Sequence, residues 1–233
     1  QGTHTCAFNT LSNLSGNSVS ALQGGSSFIN SMYINNNKIG PATANGTGSQ
    51  LYGINLVFGK TNNIFMNKIY DLVNNNVSGS VTGITVANSL SVTPGAVNSI
   101  YNNIIGNLRA PFKNGLSDAI KGINLGNFND TALSLVYYNT VYIPAQVSSG
   151  TNFSSAAIYH TAYTSSSTSD LYLRNNILVN LATPKGSGNS VAFRRSSGLD
   201  STLANYNSTS NNNLFYAGTP GAANLIYRDG TSS

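Results

Sequence analysis

Six carboxylates, two imidazoles and one thiol are the side chains that could do polar chemistry in these 233 residues. The acids are Asp71, Asp118, Asp130, Asp170, Asp200 and Asp229, and Glu is absent. Glycoside hydrolysis needs two carboxyl groups within roughly 5 to 10 Å of each other. These Asp fall at different places along the chain, and no two share a repeat position one repeat apart. A calcium-assisted lyase would want several carboxylates around its metal. A metal-free lyase could take Lys or Arg as base, for which Lys185, Arg174, Arg194 and Arg195, with His160 one turn earlier, are the candidates. The simpler expectation for that group is solvated loop charges and a surface His. His4 and His160 are too far apart in repeat order to share a zinc ion. Cys6 is the single cysteine, so no internal disulfide forms, and its apolar setting suits a small buried hydrophobe. Neither a phosphate loop nor a nucleophile elbow occurs. The sequence therefore implies no catalytic residues, no metal and no cofactor.

What positions these residues is a repeat. Asp170 to Pro184, DLYLRNNILVNLATP, reads as a short apolar strand, an Asn pair and a second apolar strand. The same shape returns in CAFNTLSNL, INNNKIGPA, IFMNKIYDLV, IYNNIIGNL, VYYNTVYIP and SNNNLFYAG. Its key Asn stands at Asn9, Asn37, Asn67, Asn103, Asn139, Asn176 and Asn213, giving steps of 28 to 37 residues. Self-similarity at such a period marks a solenoid. Three residues before the key Asn stand Cys6, Ile34, Ile64, Ile100, Val136 and Leu173. Two residues after it stand Leu11, Ile39, Ile69, Ile105, Val141, Leu178 and Phe215. Alternation of this kind, rich in Ile, Val and Tyr, belongs to strands. A further strand carries a small residue before an aliphatic one: Ala21-Leu22, Gly53-Ile54, Gly83-Ile84, Gly122-Ile123, Ala157-Ile158, then Val191-Ala192 and Leu225-Ile226.

One such repeat cannot bury its apolar side chains, whereas stacked repeats enclose them in a continuous column. The expectation is an all-β, single-domain parallel β-helix over residues 1–233, of about seven turns. Asn37, Asn67, Asn103, Asn139, Asn176 and Asn213 are expected to form a structural ladder, side chain to neighbouring backbone. Local left-handed backbone at the corners suits Asn. The chain reads as an excised piece of a longer exported polypeptide.

Composition narrows the partners. Charged residues make up 7% of the chain and the net charge is +5. Basic residues do not cluster with interleaved aromatics, so a nucleic-acid partner is not expected. No apolar run is long enough for a membrane-spanning helix. Thirteen Tyr could stack on sugars, and Tyr137, Tyr138, Tyr142, Tyr159 and Tyr163 crowd the fifth repeat. Tyr138, Tyr159, Tyr163, Arg194 and Arg195 are the candidate sugar contacts.

The repeats resemble the right-handed parallel β-helix (pectin-lyase-like) superfamily. The likeness extends to Asn-rich repeats of secreted cell-surface proteins of Bacteroidetes-type bacteria, through segments such as NKIYDLVNNNVSGSVTGITV and SNNNLFYAGTPGAANLIYRDGTSS. That resemblance implies an extracellular or cell-surface location, export by the type IX system, and an adhesive or structural role in a much longer chain. It also implies O-glycosylation at Thr131 and Ser201, in Asp130-Thr131-Ala132 and Asp200-Ser201-Thr202. Surface glycans or other cell-surface and secretion components would be the partners. The alternatives are a carbohydrate-binding or polysaccharide-degrading β-helix, and a filament or phage-fibre component whose ends associate.

Overall fold

The computed structural model describes residues 2–25, 29–57, 59–87, 95–126, 132–161, 169–196, 203 and 205–230. The chain winds through seven successive coils. The first holds β1 (Gly2–Ala7), β2 (Thr10–Leu11), β3 (Leu14–Gly16) and β4 (Val19–Gly24). The second holds β5 (Ile29–Asn35), β6 (Lys38–Ile39), β7 (Ala42–Ala44) and β8 (Gln50–Leu56). The third has β9 (Thr61–Phe65), β10 (Lys68–Asn74) and β11 (Ser80–Val86), and the fourth β12 (Val97–Tyr101), β13 (Ile104–Arg109) and β14 (Asp118–Leu125). The fifth has β15 (Leu133–Tyr137), β16 (Thr140–Ile143) and β17 (Ser154–His160). The sixth has β18 (Asp170–Arg174), β19 (Ile177–Asn180) and β20 (Ser190–Arg195). The last has β21 (Leu214–Tyr216) and β22 (Asn224–Asp229), and its first side is an irregular segment bridged to Leu171 and Arg174.

Strands of successive coils pair in parallel and in chain order, making three sheets around one shaft. The first sheet runs from β1 to β18, the second from β2 to β21, and the third from β4 to β22. This is a parallel β-solenoid. Among the described residues no helix is long and apolar enough to cross a membrane.

Register aligns the repeat as the sequence spacing predicts. Ile34, Ile64, Ile100, Val136 and Leu173 face one another along the first sheet. Ile39, Ile69, Ile105, Val141, Leu178 and Phe215 do so along the second. The third contributes Leu22, Ile54, Ile84, Ile123, Ile158, Phe193 and Tyr227. The last two members of that file correct the sequence reading. The corresponding pairs of the final coils are Ala192-Phe193 and Ile226-Tyr227, one residue beyond Val191-Ala192 and Leu225-Ile226, and in the last coil Ile226 stands where earlier coils have a small residue.

The small residue has a steric cause. A Cβ built on Gly83 would sit 2.6 Å from both Gly122 O and Ile105 Cγ2. Here the third sheet faces the second, and a side chain there would occupy the space of the next coil's Ile.

Each corner between the first and second sheets turns through one left-handed residue. Phe8, Asn36, Met66, Asn102, Tyr138, Asn175 and Asn212 have φ between 54° and 60°, each directly before a key Asn. That conformation costs an ordinary L-residue roughly 1 to 2 kcal/mol, less for Asn. Met66 is 55% exposed, so little packing is at stake. Met66→Asn is expected to stabilise the chain by about 0.5 to 1 kcal/mol. A urea midpoint no higher than wild type, at unchanged slope, would contradict this.

Candidate functional site

The key Asn residues form an uninterrupted file. In each coil the backbone N–H and Nδ2 both donate to Oδ1 of the next coil's Asn, at 2.9 to 3.1 Å, from Asn9 through Asn176 to Asn213. Nδ2 also donates back to a strand carbonyl of the preceding coil, as Asn103 does to Ile64 O at 2.9 Å and Asn139 to Ile100 O at 2.8 Å. Asn37, Asn67, Asn103, Asn139 and Asn176 are buried. The amides of these buried members are engaged with one another and with strand carbonyls.

Shorter polar files, missed in the sequence, brace the other corners. Asn62 Nδ2 donates to Asn98 Oδ1 at 2.8 Å. Asn74 bonds Ser49 and Ser80, while Asn180 bonds Ser155 and Val191 O. Lys113 Nζ reaches Ser78 O at 3.0 Å, and Lys185 Nζ reaches Ser148 O at 2.8 Å. Lys185 thus ties neighbouring loops together and is not a free solvated charge.

The proposed lyase group does not assemble. Arg174 stacks over Tyr137 and Tyr172 and donates to Thr209 O. His160 and Arg195 occupy the file that holds Leu56, Val86 and Leu125 in earlier coils, and Asp229 ends it. His160 is fully buried and Arg195 nearly so, which corrects the expectation of a surface His and solvated Arg. Both belong to strands whose alternate side chains enter the shaft. Arg195 Nη1 meets Asp229 Oδ2 at 3.4 Å. Neither ring nitrogen of His160 has a hydrogen-bond partner among the described residues. Burial, aided by the Arg195 charge, lowers its pKa from 6.5 to about 3.

Arg194 lies one residue away in the alternating strand and belongs to another file, with Asn124, Tyr159 and Arg228. It is also buried, not solvated. Its Nε stands 3.1 Å from Asp118 Oδ2, and its Nη2 donates to Ser154 Oγ at 2.9 Å. Ser154 Oγ in turn is 2.9 Å from Asp118 Oδ1 and from Asn189 O. Asp118 and Ser154 are equivalent in register, and stand equally far past Asn103 and Asn139, so repeat arithmetic could have paired them.

Lys121, on the same strand as Asp118, holds its Nζ 4.6 Å from the centre of the Tyr159 ring. Arg228 Nη1 donates to Asn189 Oδ1. Burial raises the Asp118 pKa, opposed by Arg194, Lys121, Ser154 and Arg228. Burial also lowers those of Lys121 and Arg194, against the pull of Asp118.

The Tyr of the fifth coil do not converge. Tyr137 lies on the first sheet, Tyr142 on the second and Tyr159 on the third. Tyr138 is 60% exposed at the left-handed corner. Tyr163, Thr131 and Ser201 lie outside the described residues. Phe65 and Tyr101 stack face to face at 4.9 Å along the axis. Their faces are therefore turned to one another rather than outward to a sugar.

Among the described residues no group of three or more His, Cys, Asp or Glu could hold a metal ion. No family model matches the chain, and no curated protein or solved structure matches it.

Proposed function

We propose that this chain is a non-catalytic stalk module, structural or adhesive, of a large secreted cell-surface protein. The observation that carries the reading is the file from Asn9 to Asn213, in which every coil is tied to the next by side-chain as well as main-chain hydrogen bonds. Solenoid coils touch only their neighbours, so resistance to pulling depends on each interface in turn. A ladder of buried amides strengthens all of them alike.

The remaining polar groups support the same reading. Asp118 is engaged with Arg194 and Ser154, Asp71 accepts from Asn107, and His160 is enclosed in the shaft. A general base must reach a substrate proton, and these groups are already spoken for. The extracellular setting, the type IX route and surface glycans as partners rest on the resemblance of the repeats.

Antibody against this segment is expected to label intact cells, and deleting the segment to shorten or weaken attachment without stopping export. Labelling only after lysis would refute the surface role. Turnover of a polysaccharide by the purified chain would instead establish the carbohydrate-active alternative.

A further inference from the structure

Among the described residues, the outer face of the third sheet carries more positive charge than its neighbours neutralise. Arg194 and Arg228 are directly opposite on adjacent strands, which places their backbones about 4.8 Å apart. Like charges in that relation repel. Lys121 adds a third cation, close enough for Arg194 and Asp118 each to perturb it. Asp118 is the one carboxylate among the described residues that pairs with this set, and it meets Arg194 through Nε. Arg228 donates to the neutral Asn189 side chain and, among the described residues, forms no ion pair. Arg194 Nη1 is buried and has no hydrogen-bond partner among the described residues.

Leaving a guanidinium nitrogen dry and unpaired is costly, and so is holding three cations around one anion. Both costs vanish if a second anion binds there. Arg presents fixed, paired donors that match a tetrahedral or planar oxyanion, and Lys supplies a point charge to the same ligand. Tyr159 lies between Asn124 and Arg194 in register and under the Lys121 ammonium, adding an apolar wall. Lys121, Tyr159 and Arg228 are each partly exposed, while Arg194 is enclosed behind them. Three cations thus lie together on one face, with Lys121 and Arg228 reaching solvent and Arg194 buried behind them.

We propose that Lys121, Arg194 and Arg228 bind a tetrahedral oxyanion, as free sulfate or as a sulfate ester on a glycan. This site is independent of the stalk reading, since a structural module can carry it and its absence would leave the ladder untouched.

The test is calorimetric titration of the whole chain at neutral pH with sodium sulfate, against sodium chloride at matched ionic strength. Saturable binding of one sulfate per chain is expected, with no such isotherm for chloride. Arg228→Gln and Lys121→Gln should each weaken it roughly ten- to hundredfold, as loss of a hydrogen bond to a charged group implies. Lys38→Gln, on the second sheet, should leave it unchanged. Circular dichroism confirms that each variant is folded. A galactose sulfate ester supplies the other arm: tighter binding than sulfate identifies a sulfated glycan as the source, and equal or weaker binding identifies the free ion. A response linear in sulfate, or one of the same strength in Arg228→Gln and Lys38→Gln, overturns the proposal.

Discussion

Replacing His160 with an apolar residue should make the chain markedly less sensitive to acid below pH 6.5. His160 is fully buried, and burial together with Arg195 sets its pKa at about 3 against 6.5 for a free imidazole. A base with a depressed folded pKa stays neutral in the native state while the unfolded chain takes up a proton. Its contribution is therefore complete above pH 6.5 and disappears as pH falls from 6.5 toward 3. The slope is about 1.4 kcal/mol per pH unit, so that roughly 2 kcal/mol is gone by pH 5. Asp118 works in the other direction, because its raised folded pKa favours proton uptake by the native state on acidification. Comparing variants at each pH cancels that contribution.

His160→Leu should match the Leu56, Val86 and Leu125 that precede it in the file, and it removes two ring nitrogens that have no hydrogen-bond partner among the described residues. Denaturant midpoints from pH 8 to 4 are expected to show the variant gaining on wild type by about 2 kcal/mol between pH 6.5 and 5. Parallel profiles for the two proteins would mean that His160 is solvated or paired in solution, and the buried file would be wrong.

How much of this was legible in the chain follows from what repeats and what does not. The Asn file could be read directly because one geometric need recurs at every corner, and only an amide both donates and accepts there. The residues three before and two after it were equally legible, since alternation is forced by the pleat. The doublets of the third sheet slipped by one residue in the last two coils. There the file changes from Ile to Phe193 and Tyr227, so the expected aliphatic residue was found beside its true position. The aromatic set of the last coils, Phe193 with Tyr206, Phe215 and Tyr227, goes with that change.

The cluster of Asp118, Arg194, Lys121 and Arg228 was invisible for a different reason. Asp118, Ser154 and Arg194 lie on three strands separated by loops of unequal length, so no fixed spacing in the sequence connects Asp118 to Arg194. Arg194 and Arg195 are adjacent in the sequence. Strand alternation sends the two side chains to opposite faces, one to Asp118 and the other into the shaft beside Asp229.

Breaking the amide file at its middle should be among the most damaging single changes available. Asn103 Oδ1 accepts from both the N–H and Nδ2 of Asn67, and Asn103 Nδ2 serves Ile64 O, Tyr101 O and Asn139 Oδ1. Asn103→Ala leaves the buried Asn67 N–H without an acceptor and empties the space between two coils. Each orphaned buried group costs about 1 to 3 kcal/mol, so a loss of about 3 to 5 kcal/mol is expected. Asn9→Ala is the matched control, because Asn9 is exposed at the first coil and its Oδ1 accepts no bond from a preceding Asn; its cost should stay below about 1 kcal/mol. Asn103→Asp separates shape from chemistry. It keeps the acceptor that Asn67 needs, yet turns a carboxylate toward three oxygens that require a donor. At neutral pH it should be no better than Ala, and it should recover as acid protonates it. Equal urea midpoints for Asn103→Ala and Asn9→Ala would show that the file contributes nothing beyond the backbone ladders. The stalk reading would then lose its main support, because coil-to-coil cohesion would rest on apolar packing that any solenoid has.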